Sequence, residues 1–213
     1  MNGAPPGVLV LFGTGEHARV VADGALAAGW IVAGVVGDSP SPPGLTLLGA
    51  DREVARIQDA NPGCRFLIAI GDNSTRKALA DRLGPLPWAT VVHPSAAISG
   101  GAVLGPGVFI GPLAVVNTGA VIGPHALVNS GAVVEHDVKL GAFCHLAPGA
   151  VIGGGSEIGE AALVGLGARV RDHLRVGEGA LVAMGAVVTS DVDAGRTVAG
   201  VPEKPLGNAR RKG

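Results

Sequence analysis

The chain contains no tyrosine, and only two tryptophans and four phenylalanines among its 213 residues. Its apolar character must therefore come from aliphatic side chains. Neither sign of charge dominates, since 16 Lys and Arg stand against 17 Asp and Glu for a net charge of −1. That balance leaves no electrostatic footprint for nucleic acid or an anionic membrane surface. The basic run Arg210, Arg211, Lys212 is short and terminal, and reads as a solvated end. Two cysteines, Cys64 and Cys144, are too few for a disulfide framework. The N-terminus shows neither a charged n-region nor a cleavage site, so a reducing, cytoplasmic setting is expected. From Leu83 to Val134 there is no Asp, Glu, Lys or Arg at all. A membrane span needs roughly 20 apolar residues. Gly, Pro, Ser or Asn recurs every few residues here, so no span is expected.

What is abundant is glycine, with 36 residues, and proline, with 15. High Gly and Pro alone would suggest disorder. The accompanying density of Val, Ile and Leu excludes that reading, because disordered segments lack such residues. A period of six reconciles the two. From His93 the chain reads HPSAAI SGGAVL GPGVFI GPLAVV NTGAVI GPHALV NSGAVV EHDVKL GAFCHL APGAVI GGGSEI GEAALV GLGARV RDHLRV GEGALV AMGAVV. All sixteen sixth positions are aliphatic, the fourth is mostly Ala, and the first is most often Gly. Neither an α-helix nor a plain strand has this period. Positions four and six should both point inward, as alternation along a short strand requires. Position six supplies the large core side chain, and position four is small because it lies near a tight corner. Gly or Asn at position one is expected to adopt the corner conformation. Three hexads close one triangular coil, and coils stack as parallel strands about 4.8 Å apart, so the run predicts about five coils and a prism roughly 25 Å tall.

The segment before the hexads has a different character. An apolar run, Val8–Phe12, enters Gly13-Thr14-Gly15 and then a helical stretch. This suits a phosphate-binding βα unit, or a structural tight turn, and lacks the third glycine of the dinucleotide fingerprint. A second strand, 31–36, ends at Gly37-Asp38, where a carboxylate can hold a ribose hydroxyl or cap a turn. A third, 65–70, runs into Gly71-Asp72-Asn73 and a helix carrying Arg76 and Lys77. Three such strand ends predict a small Rossmann-like α/β domain over 1–88, with its ligand at the carboxyl edge. Gly84-Pro85-Leu86-Pro87 marks the boundary with the all-β parallel β-helix, 89–213.

The segments GTGEHARVV, IAIGDNSTRKALA, TVVHPSA, NSGAVVEHDVKLGAFCHLAPGAVIGG and GAVVTSDVDAGRTVAGVPEKPL resemble the bacterial sugar acetyltransferases that act on nucleotide-linked amino sugars, and the related sialic-acid O-acetyltransferase-like proteins. The likeness covers almost the whole chain and is looser at Thr14 and Glu16. It implies that the β-helix is left-handed and the protein a homotrimer, with active sites in clefts between neighbouring helices. It further implies acetyl-CoA as co-substrate, running towards the C-terminal coils, and no metal.

The hexad Glu135-His136-Asp137-Val138-Lys139-Leu140 opens with three ionisable residues, which should sit at an outward-facing corner near a neighbour. Acetyl transfer to an amine needs a base near neutral pH, which suits histidine. By the resemblance, His136 is that base and Asp137 its supporting acid, the carboxylate fixing the imidazole tautomer. A solvated polar corner is the bland alternative. The nucleotide-side candidates are Gly13, Gly15, His17, Asp38, Gly71, Asn73 and Arg76. His145, at an outward position five, is expected near the acetyl group, and Gly165, Gly167, Ala183 and Gly185 would let pantetheine approach the backbone. The segment from Thr189 to Pro205 would cap the last coil. Cys144 is expected in the core and His173 at the surface. His125, His136 and His145 are not expected to form a metal site, because the first and last share a face of successive coils and His136 does not. The resemblance points to transfer onto the amino group of a UDP- or GDP-linked 4-amino-4,6-dideoxy sugar. Transfer to a sugar hydroxyl, a metal-dependent hydrolase or lyase, and a non-catalytic scaffold are the competing readings.

Overall fold

The computed structural model describes residues 6–206; the basic residues Arg210, Arg211 and Lys212 lie outside them. The front unit is a parallel sheet of β1 (Val8–Phe12), β2 (Ile31–Val36), β3 (Leu47–Gly49) and β4 (Arg65–Ile68), in the order β3-β2-β1-β4. Helices α1 (Glu16–Ala27), α2 (Val54–Ala60) and α3 (Asn73–Leu83) accompany it. Helix α1 buries Ala18, Val21, Ala22 and Ala25, one stripe at helical spacing, against Leu9, Leu11 and Leu67.

Two features differ from expectation. Strand β3 is an additional strand, and β4 stops at Ile68 rather than residue 70. The carbonyls of Ile70 and Gly71 accept hydrogen bonds from the Arg76 guanidinium, at 2.8 and 3.2 Å.

The hexads form two-residue strands from Ala97–Ile98 to Val187–Val188, each made of positions five and six. Each strand from Ala97–Ile98 to Arg169–Val170 pairs in parallel with the one 18 residues on, as Val121 does with Lys139 and Ile122 with Leu140, while Leu181 pairs with Thr197, 16 residues on. Three hexads therefore close a coil. Val91–Val92 precedes the run and Thr197–Ala199 follows it, so one face stacks seven parallel strands. The β-helix thus has about six turns rather than five by the 18-residue repeat. Lys204–Pro205 pairs antiparallel with Thr197–Ala199 at the end, where the cap was expected.

Positions four and six do fill the interior: Ala114, Val116, Ala120, Ile122, Ala126 and Val128 are all buried in one core. Each large aliphatic side chain removed from water contributes about 1.5–3 kcal/mol. Ser156, the buried polar residue at position four, is satisfied: its Oγ donates to the Arg171 carbonyl at 2.9 Å and accepts from the Leu174 amide at 3.2 Å. Cys144 is core, as expected, with burial pushing its thiol up to about 12.

The corner chemistry corrects the expectation for glycine. Positive φ falls at position three, where Asp137 (58°), His125 (56°) and Phe143 (58°) adopt it as well as glycines. At position one the glycines answer a different demand. A Cβ on Gly123 would lie 2.6 Å from the Ala142 amide nitrogen of the next coil. Close stacking of backbones, not left-handed geometry, keeps that position bare.

Front unit and β-helix share cores. Phe109 and Leu127 on the β-helix pack with α1, while Phe143 packs with Leu79 and Ala80 of α3. Arg76 joins the two chemically. It is completely buried, and its Nε donates to the His125 carbonyl at 2.9 Å and its Nη2 to the Phe143 carbonyl at 2.7 Å.

Candidate functional site

Three regions hold the residues singled out from sequence. The first is the corner at 135–137. His136 stands at position two and Asp137 at position three, both side chains more than half exposed. The left-handed backbone at Asp137, a conformation aspartate tolerates well, directs its carboxylate back to the preceding residue. Asp137 Oδ2 lies 3.0 Å from His136 Nδ1. A ring nitrogen facing a carboxylate carries the proton, so Nδ1–H donates and Nε2 keeps its lone pair. The hydrogen bond to Asp137, outweighing partial desolvation, and then the charges of Asp137 and Glu135 hold the His136 pKa above its ordinary value. Glu135 is anchored separately, accepting from Asn117 Nδ2 at 2.9 Å.

The second region is a cavity of about 390 Å³ at the carboxyl edge of the sheet. Gly13, Gly15 and Asp38 line it, as the strand-end argument expects, together with Thr14, Asp51 and Arg82. Gly13 has φ of 123°, and a Cβ there would lie 2.9 Å from the Ala69 carbonyl oxygen, so no larger residue fits the turn. Gly15 is the N-cap of α1 and leaves the helix end open towards the cavity. Asp38 pairs with Arg52 at 3.1 Å, both side chains exposed, and Asp51 pairs with Arg82. Asp51 and Arg82 escaped the sequence reading. The signal was the short run Leu47-Leu48-Gly49-Ala50-Asp51, a fourth strand end of the same kind as Val36-Gly37-Asp38.

The third region is a groove of about 560 Å³ between the turn after β4 and one face of the β-helix. Gly71 and Asn73 meet Ala183 there, beside Leu163, Leu181 and Thr197. Asn73 uses its amide within the fold, donating to the Ala161 carbonyl at 2.9 Å and accepting from Arg76 at 2.7 Å. Gly165 is packed under the Met184 amide, 2.7 Å from where its Cβ would be, whereas Gly167 and Gly185 are left-handed corners with open space around them.

Arg76 must be corrected from a ligand-facing residue to an internal one. Its five N–H donors meet acceptors at Ile70, Gly71, Asn73, His125, Phe143 and Cys144. None remains for a ligand. Burial pulls its pKa down to about 10. Around it lie three neutral histidines, His17, His125 and His145, each lowered to about 4 by burial first and then by the Arg76 charge. His145 points out of the coil, as expected, but into the junction. Its Nδ1 donates to the Gly71 carbonyl at 3.2 Å, and its Nε2 accepts from Asn129 at 3.3 Å. His17 lies 6.2 Å from His145 between ring centres, and its Nε2 is a buried atom with no hydrogen-bond partner among the described residues. His125 stacks on Phe143 at 5.1 Å. His173 is exposed, as expected. His136 stands at a different corner of the same chain, so these histidines do not converge.

Among the described residues no group of three or more His, Cys, Asp or Glu side chains is arranged to hold a metal ion. No helix among them is long and apolar enough to cross a membrane.

Residues 8–83 match the family described as PglD N-terminal domain, and residues 119–154 match the bacterial transferase hexapeptide (six repeats). A UDP-N-acetylbacillosamine N-acetyltransferase of Bacillus subtilis (strain 168) is 44% identical over 64 residues, which are 29% of this chain and 30% of that protein. Perosamine N-acetyltransferase from Caulobacter crescentus, solved as a histidine variant with CoA and GDP-perosamine, superposes with a TM-score of 0.90. It is 35% identical, over 95% of this chain and 98% of that one. The acetyltransferase domain of PglB from Neisseria gonorrhoeae, in complex with acetyl coenzyme A, gives 0.87 at 34% identity, over 93% and 98% of the two chains.

Proposed function

Because the chain belongs to the bacterial nucleotide-sugar acetyltransferases of the hexapeptide-repeat class, we propose that it moves the acetyl group of acetyl-CoA onto the amino group of a nucleotide-linked 4-amino-4,6-dideoxy sugar. The observation that carries this is the His136–Asp137 pair, with Nδ1 held 3.0 Å from the carboxylate and Nε2 left free on an exposed corner. Such a corner, raised in basicity by its own neighbour, is poised to accept a proton.

In this reading His136 Nε2 takes the proton that the amine loses as the new C–N bond forms and the thioester C–S bond breaks. His136 then returns it to the departing sulfur, which leaves as the thiol. Asp137 keeps the ring in the Nδ1–H tautomer and stabilises the imidazolium while the proton is held. The sheet-edge cavity takes the nucleotide. Its backbone N–H groups at Gly13–Gly15 and the open end of α1 suit phosphate oxygens, and Asp38 and Asp51 suit hydroxyl or base N–H donors. Gly71, Asn73 and Ala183 border a groove with room for an extended ligand, and Gly167 and Gly185 leave backbone open in the same coils. These are the positions assigned to the sugar-linked substrate and to pantetheine. His17 and His145 contribute from below, as neutral rings that shape the junction.

The His136 corner and the face bearing His145 are different sides of one prism. A homotrimer brings the corner of one subunit to the groove of the next, and the active site is assigned to that cleft. The test is incubation with acetyl-CoA and UDP- or GDP-linked 4-amino-4,6-dideoxy hexose, followed by mass spectrometry of the sugar nucleotide. The expected product carries one amide-linked acetyl group on the sugar. Acetylation only of hydroxyl-bearing sugars would replace this reading with O-acetyl transfer.

A further inference from the structure

The hexad 153–158 opens with three glycines, and each is bare for a different reason. A Cβ on Gly153 would lie 2.5 Å from the Asp172 amide nitrogen of the following coil, the backbone contact common to position one. Gly155 has φ of 67° and lies under the His173 ring. Gly154 meets neither demand. Its φ lies outside the left-handed region, and it occupies position two, which elsewhere accepts Pro124, Glu160, Leu166 or Met184. The coil therefore does not require glycine there.

What lies over Gly154 is the His136 imidazole, one coil away at the same corner. A Cβ on Gly154 would stand 2.5 Å from His136 Nε2, 2.7 Å from Cε1 and 3.1 Å from Cδ2. The other half of the pair is seated in the same manner from the preceding coil, for a Cβ on Gly119 would overlap the Asp137 carboxylate oxygen Oδ1. We infer that Gly154 is a positioning residue for acetyl transfer: its bare Cα is the seat on which the His136 ring lies, so that Nδ1 reaches Asp137 while Nε2 stays uncovered. The inference rests on the proposed role of His136 as base.

A methyl group at Gly154 has two consequences. It either covers the Nε2 edge that must meet the amine, or turns the ring off its contact with Asp137. Because His136 is an exposed side chain free to swing, the fold itself tolerates the change.

The experiment compares wild type, Gly154→Ala, His136→Asn and, as a control at another position two with open space around it, Gly100→Ala. Gly154→Ala is expected to lower kcat roughly 10- to 100-fold, part of the contribution of a general base, with the thermal midpoint and acetyl-CoA binding matching the control. The His136 imidazole pKa, read by NMR in the absence of substrate, is expected to move in Gly154→Ala towards that of a free imidazole. Wild-type kcat and an unmoved imidazole titration in Gly154→Ala, beside an inert His136→Asn enzyme, overturn the seat alone. Full activity of His136→Asn overturns the base assignment itself, independently of the seat.

Discussion

Replacing Arg76 by methionine tests whether the buried guanidinium is a structural clamp. The side chain is fully buried, and its donors reach carbonyls of the front unit (Ile70, Gly71) and of the β-helix (His125, Phe143, Cys144). Methionine keeps a comparable unbranched volume and removes every donor. Leaving one buried acceptor unpaired costs about 1–3 kcal/mol. Several are left here, but removing a buried charge relieves a desolvation penalty that already shows as an Arg76 pKa drawn down to about 10. The net loss is about 3–5 kcal/mol, the range for breaking a buried charged network. Equilibrium urea unfolding at about pH 7.5, with the denaturant slope held the same, measures it. Arg76→Lys should recover only part of the loss, because three donors on a point charge cannot reproduce the planar fork. A variant with unchanged stability and a raised KM for the nucleotide sugar would refute the clamp and restore Arg76 to the ligand.

Acidification should destabilise the junction. The folded pKa values of His17, His125 and His145 are about 4, against about 6.5 unfolded, so the unfolded state binds more protons between those values. Stability is therefore full above about pH 6.5 and is lost as pH falls towards 4, one ring costing about 2 kcal/mol at pH 5; a urea midpoint that does not move between about pH 7 and pH 5 contradicts this. For Asp137→Asn, loss of the hydrogen-bonded charge should lower the His136 pKa, shift the acidic limb of kcat/KM to lower pH and reduce the plateau roughly tenfold. An unmoved limb would mean that the carboxylate does not tune the ring. Gly123→Ala should cost about 1–3 kcal/mol by forcing apart two coil backbones, although the residue has no part in the proposed chemistry. Calorimetry would expose a smaller penalty.

The β-helix was legible because its core is repetitive: position six is aliphatic sixteen times over, and Ile122 stacks on Leu140 as one coil stacks on the next. The same regularity concealed which glycine does what. Position one and position three both favour small residues, but the reasons, backbone stacking at Gly123 and left-handed geometry at Asp137, separate only when the next coil is in place. The exposed corner at His136 and the cavity edge at Gly13, Gly15 and Asp38 followed from local pattern, since strand ends and hexad corners are set by neighbours in sequence. Arg76 did not. A positively charged residue one turn into a helix after a strand reads as a phosphate ligand, and only carbonyls 49 and 67 residues away reveal that it faces inward. Strand β3 was missed for a related reason. Three residues ending in glycine carry too little alternation to be read alone, and β3 holds its place by pairing with β2.

The most direct test of the whole account is thiol release from acetyl-CoA in the presence of a nucleotide-linked 4-amino-4,6-dideoxy sugar, with wild type and His136→Asn compared at equal acetyl-CoA occupancy. Turnover should depend on the amino sugar and fall by about 10²-fold or more in the variant, while CoA still binds. Undiminished turnover in His136→Asn, or thiol release indifferent to the amino group, would contradict it.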